Sequence, residues 1–444
     1  MKKRNLLYIV PLILLAACKP EIDEFSPSKG NADFSNFIAV GDSWTAGFAD
    51  GSLYKSGQEN SYPNILAGQF SFAGGGAFKQ PLMLDDYGFG MSLTQDPLPK
   101  IVLALRWDCL GDSSLLPGFT SVPINPANAD RISDPGPFHN IGLPGLKSTF
   151  MRLPVLAQVH PYYKRFASPE APTLIGEIPL VNATFFTLWL GTFDVLSNAL
   201  SGGTDQITPG DAFKSSLEAT LEALTANGAK GAVANIPYVY DAAFFHTIPY
   251  NVLALDQATA DYLNGQYAPL NQAIIGAGSD DTIHFVAGAN PIVIQDDLLP
   301  WKKRQIKSNE LVLLSLPQDS LKCAQWGTGK PVPSYYILDT LEISLIKKAV
   351  DDYNVMIGEL IEGKDIALVD MNAVMKNMNT GLAFDNVNFS RRFLTGNFYS
   401  LDGFNPTPAG SAVIAHYFIE AINAKFGANI PQVIVSDYPG VKLP

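Results

Sequence analysis

The chain has 444 residues, of which 47% are apolar and 16% charged, enough to bury a large core and too apolar for extended disorder. Its formal net charge is −12, with 30 Lys and Arg residues scattered along the sequence, which argues against a basic nucleic-acid surface. The length suits one elaborated domain or a domain carrying a smaller insertion.

The first residues address the chain. Lys2, Lys3, Arg4 and Asn5 precede an apolar run over residues 6–15, too short for a permanent bilayer helix, and Leu15-Ala16-Ala17-Cys18 follows. This resembles a bacterial lipoprotein signal, which implies removal of residues 1–17 and acyl chains on Cys18 as the membrane anchor. Glu21, Asp23 and Glu24 behind the cysteine resemble the surface-export tether of Bacteroidetes lipoproteins, so residues 18–35 read as a tether. The implied location is the outer membrane, on its periplasmic or surface face. Apart from Cys18 the chain has Cys109 and Cys323, and an oxidising compartment allows them one bridge between stretches outside the core sheet. So far apart in sequence, with no histidine pattern nearby, they make a poor metal site, and neither metal nor cofactor is expected.

In chain order, Phe37-Ile38-Ala39-Val40 reads as a buried strand running into Gly41-Asp42-Ser43, and Tyr62-Pro63 opens a helix. Residues 79–138 are rich in turn formers and read as an insertion, and residues 184–190 are a strand covered on both faces. A helix with Phe213, Leu217, Leu221 and Leu224 on one face follows, then a strand over 231–236. The spacing predicts a helix over 255–275 with Tyr262, Tyr267, Leu270 and Ile274 on one side, and Ile283-His284-Phe285-Val286 reads as a further strand. Residues 288–334 form a second insertion. Leu338, Leu341, Leu345, Ala349, Tyr353, Met356 and Leu360 line a long helix, Ile366-Ala367-Leu368-Val369 is the next strand, and Thr407-Pro408 starts a last helix with Ile414, Tyr417, Phe418 and Ile422 buried. Strands alternating with helices predict an α/β fold with a mostly parallel sheet covered on both faces.

Four stretches at strand ends carry chemistry. These are Gly41-Asp42-Ser43, Asn140-Ile141-Gly142-Leu143-Pro144-Gly145, Gly191-Thr192-Phe193-Asp194, and Asp402-Gly403-Phe404-Asn405 before the last helix. In this order they resemble the SGNH, or GDSL, hydrolase (lipase/acylhydrolase) family over residues 36–427, leaving 428–444 as a C-terminal tail. The resemblance implies a flavodoxin-like three-layer α/β/α fold and cleavage of carboxyl esters, thioesters and acyl groups on lipids or carbohydrates. It also implies that Ser43 is the nucleophile and one oxyanion donor, Gly145 the second backbone donor, and Asp402 the carboxylate that orients the base.

Two positions depart from the pattern. Phe193 stands where the family has its oxyanion asparagine, and Asn405 stands where it has the catalytic histidine. An amide has no basic nitrogen, so it cannot take the serine proton. Loss of a triad histidine costs on the order of a millionfold in kcat in a serine protease, and loss of one oxyanion donor about a hundred- to a thousandfold.

The expectation is therefore an outer-membrane lipoprotein impaired in ester hydrolysis that binds an acyl, lipid or glycan ligand or partners another envelope protein. One alternative is an active carboxylester hydrolase using Ser43 with a displaced base, for which His139, beside the Asn140 turn, is the candidate among His139, His160, His246, His284 and His416. Asn198 is the candidate to fill the place of Phe193. A second alternative is a structural or assembly lipoprotein whose cleft is filled.

Overall fold

The computed structural model describes residues 25–91 and 96–442. The expected signal segment and Cys18, the expected lipidation site, lie outside the described residues. Five segments form the central sheet: β1 (Phe37–Gly41), β2 (Asn140–Gly142), β3 (Phe185–Trp189), β4 (Lys230–Ala234) and β5 (Ile366–Val369). Their spatial order is β5-β4-β3-β1-β2 and every pairing is parallel. All residues of β1 and β3 are buried, as continuous apolar runs require when a strand is covered on both faces.

The main helices are α1 (Ser43–Ala46), α2 (Tyr62–Ser71), α3 (Thr192–Leu200), α4 (Gly210–Thr225), α5 (Gln257–Gly276), α6 (Thr340–Ile361) and α7 (Pro408–Phe426). With shorter ones they make twelve α-helices among the described residues, an α/β fold consistent with three layers. On α2 and α7, Tyr62 stacks on Phe418 with ring centroids 4.9 Å apart, and both meet Trp189 of β3. Phe213 of α4 stacks on Tyr353 of α6 at 4.1 Å. A capping box formed by Asp339 and Glu342 starts α6, and the Thr407 side chain with Pro408 starts α7. Among the described residues no helix is long and apolar enough to cross a membrane.

Several expectations change. The buried face of α6 is Ile346, Val350, Tyr353, Ile357 and Ile361, whereas Leu341 and Leu345 are 59% and 51% exposed. Two apolar stripes coexist on this helix, and packing against α4 selects the one centred on Tyr353. Likewise Ala260 and Leu263 of α5 are buried while Tyr262 points outward, 67% exposed.

Helix α5 does not cover the central sheet. Together with Ile283 and Phe285, which lie in irregular chain, it builds a second apolar cluster running from Ile248 to Ile337. At the ends, Ala32 and Phe34 are core residues, Ser28 bridges to Asn429, and Ile430, Val433 and Val435 are buried. The described parts of the expected tether and tail, residues 25–35 and 428–442, therefore pack on the domain from both termini. The structure pairs Cys109 with Cys323, Cα atoms 6.4 Å apart, and Lys322 meets Asp108 beside them at 2.6 Å. This bridge links a hairpin of Ile101–Trp107 and Ser113–Phe119 to the second cluster's helix Gln318–Cys323.

The phase of α6 is testable by denaturant unfolding. Ile357→Ala removes a core side chain and is expected to cost about 2–5 kcal/mol. Leu345→Ala is expected to stay within about 0.5 kcal/mol, and the reverse ranking would contradict the observed face.

Candidate active site

The order of the sheet decides where the site lies. Strand β1 has β2 on one side and β3 on the other, so the connections diverge at its carboxyl end and leave a crevice there. A Cβ on Gly41 would lie 2.5 Å from the Trp189 carbonyl oxygen, so only glycine lets the chain turn so close to β3. Asp42 caps α1 through the Trp44 N–H at 3.2 Å, and burial pushes its carboxyl up to about 7. The turn leaves Ser43 at the head of α1.

The loop after β2 supplies a donor. The Gly145 N–H points at Ser43 Oγ, 3.1 Å away, in a left-handed conformation (φ +77°) that favours glycine. Asn140 holds the two segments together: its Nδ2 donates to the Thr45 carbonyl at 2.9 Å, and its Oδ1 accepts the Gly142 N–H at 3.0 Å. Asp194, buried at the start of α3, accepts the Ser148 hydroxyl at 2.6 Å and its N–H at 2.8 Å, anchoring the far end of the same loop.

The segment before α7 brings the carboxylate. Asp402 accepts the N–H groups of Gly51, Phe404 and Asn405 at 3.1, 2.9 and 2.7 Å, and the Asn405 Nδ2 at 2.9 Å. Asp50 ties this segment to the chain that follows α1. Its Oδ1 accepts the Leu401 N–H at 3.0 Å and its Oδ2 the Tyr54 hydroxyl at 2.8 Å. Burial, with the charge of Asp402 nearby, raises the Asp50 carboxyl above the usual range.

Ser43, Gly145, Phe193, Asp402 and Asn405 thus share one cleft of about 420 Å³. The Phe193 ring flanks Gly145, its carbons 3.7 Å from where a Cβ on that glycine would sit, and it offers no hydrogen-bond donor. Asn198 does not replace it. Its Nδ2 donates to the carbonyls of Gly203 and Asp205, at 3.2 and 2.5 Å.

His139, the histidine expected beside the cleft, does not line it. His139 precedes β2 at the amino end of the sheet, where its ring bonds Asn36 Oδ1 at 3.1 Å and accepts the Lys79 N–H at 3.0 Å. Adjacency to Asn140 misleads because the strand carries the chain from one end of the sheet to the other. His416 lies along α7 beside Glu420, and His246 beside Arg391.

His160 is the histidine that sequence reasoning missed, and no local motif marks it. It lines the cleft. Its Nε2 donates to the Pro144 carbonyl at 3.0 Å while Nδ1 accepts the Tyr163 N–H at 3.3 Å. That carbonyl belongs to the same peptide unit as the Gly145 N–H, so His160 orients and polarises the donor aimed at Ser43. Burial pushes its imidazole down to about 4, so near neutrality it is an uncharged donor. Among the described residues no basic group is hydrogen-bonded to Ser43 Oγ.

The neutral His160 gives a signed pH dependence. Its folded-state value lies below the ordinary 6.5, so protonation favours the unfolded chain, and its contribution is lost as pH falls from 6.5 through about 4. Urea midpoints measured from pH 7.5 down to pH 4.5 are expected to fall less steeply for His160→Gln than for the parent. Identical slopes would refute a neutral, half-buried imidazole. No family model, no curated protein and no solved structure matches this chain.

Proposed function

We propose that this chain is an SGNH-hydrolase-like lipoprotein of the outer membrane, anchored through Cys18, whose cleft binds an acyl group without hydrolysing it. The observation that carries the reading is the pairing of Asp402 with Asn405. The amide donates to the carboxylate at 2.9 Å, as an orienting carboxylate would hold a histidine, yet it presents no basic nitrogen toward Ser43. The strand order, in chain numbering 2-1-3-4-5 from the β2 edge, supports a flavodoxin-like arrangement with its ligand at the switch point beside β1.

The ligand class follows from the walls. Phe48, Phe193, Leu196, Leu200, Phe244 and Phe404 line the cleft, an apolar seat for an alkyl chain more than for a glycan. An open cleft counts against a filled, purely structural site. Against the displaced-base alternative, both ring nitrogens of His160, the histidine that lines the cleft, are held by backbone groups.

Purified parent protein is expected to leave p-nitrophenyl butyrate at its background rate. Asn405→His combined with Phe193→Asn is expected to raise the rate by roughly 10²- to 10⁴-fold, the range a positioned acid–base group contributes. Turnover by the parent that disappears in Ser43→Ala would overturn the proposal.

A further inference from the structure

The cleft contains two polar side chains with unused hydrogen-bonding capacity. Ser43 Oγ accepts the Gly145 N–H and makes no other hydrogen bond among the described residues. Its hydroxyl proton is therefore available to an acceptor. Asn405 donates Nδ2 to Asp402 Oδ2 at 2.9 Å. A carboxylate only accepts, so this bond fixes which end of the amide faces Asp402. The other end, Oδ1, is shielded from solvent and has no partner among the described residues, in a side chain whose residue is 7% exposed. A buried acceptor left without a donor is costly and calls for an explanation.

We infer that Asn405 Oδ1 is the acceptor for an N–H of the ligand, and that the cleft selects acyl groups in carboxamide linkage over the corresponding esters. This rests on the acyl-binding reading above. An amide carries a carbonyl oxygen and an N–H side by side. The carbonyl oxygen takes the Ser43 hydroxyl proton, the N–H donates to Asn405 Oδ1, and the alkyl chain lies along Phe193, Leu196 and Leu200. An ester has nearly the same shape and the same carbonyl, but an oxygen replaces the N–H. Bound in the same pose, it leaves Oδ1 unpaired and sets two acceptors face to face. Sites built around a hydrogen-bonding partner reject analogues that lack it far more strongly than apolar walls reject a change of size. Reaching the shielded oxygen requires side chains of the cleft wall to shift on binding, a common adjustment at interfaces. The same residue that deprives Ser43 of a base thus supplies the specificity, and no covalent step is involved.

Isothermal titration of the full mature chain with N-methyloctanamide and with methyl octanoate tests this. The amide is expected to bind roughly 10- to 100-fold more tightly. In Asn405→Leu, which removes the acceptor at similar volume, the two affinities are expected to converge. Asn405→Ala serves the same purpose if the leucine variant does not fold, and the ratio in the parent needs no variant. Equal affinities in the parent, or a preference that survives in the folded variants, would overturn the role of Asn405 while leaving acyl binding intact. Binding of neither probe would overturn the acyl-binding reading itself.

Discussion

A strand with neighbours on both edges and apolar residues on both faces can release its chain only at its end, and the site follows from how β1 does so. Gly41 passes too close to the Trp189 carbonyl for any Cβ, so the turn is tight and Ser43 emerges at the crevice between β2 and β3. Parallel pairing then brings the loops after those neighbouring strands to the same edge. The loop after β2 contributes the Gly145 N–H, and the first turn of α3, after β3, contributes Phe193. The position of Ser43 and its flanking groups are consequences of strand order before any side chain chemistry enters.

Side-chain chemistry then separates positioning from reactivity. Asp50, Asp402, Asn140 and Asp194 each bind backbone groups on a different segment, so the loops around Ser43 are pinned from several directions. His160 extends this to the peptide that carries the Gly145 N–H. All of that preorganisation serves to hold an acceptor beside Ser43, which is what oxyanion stabilisation requires. In the proposed reading proton transfer requires a base as well, and at the place it would take stands an amide whose own oxygen has no partner among the described residues. A cleft so arranged is suited to recognising a carbonyl group and unsuited to attacking it.

Four strands of the sheet were legible because they are continuous apolar runs closed by glycine or polar turns, as in residues 37–41 and 185–189, whereas β2, three residues within Asn140–Gly145, read as a glycine-bearing turn. The stretches that meet in the cleft were legible because each sits at a strand end or before a helix cap. What failed has physical reasons. On α6 two stripes were apolar, and only tertiary contact decides that Tyr353 and Ile357 face inward while Leu345 faces water. Helix α5 reads like any amphipathic helix, and nothing in its periodicity says that its partner is the second cluster. His139 was displaced by the length of a strand. His160 approaches the cleft through a backbone hydrogen bond to Pro144, 16 residues away, a relation that leaves no pattern in the sequence.

The central claim is that Ser43 lies in an oxyanion-donating site with no base to activate it. Incubation of the purified chain with a fluorophosphonate probe, followed by mass spectrometry of the peptide containing Ser43, addresses this directly, because phosphonylation requires an activated serine hydroxyl. The account predicts that Ser43 remains unmodified. Labelling of Ser43 in the parent protein, lost when the protein is unfolded beforehand, would contradict it.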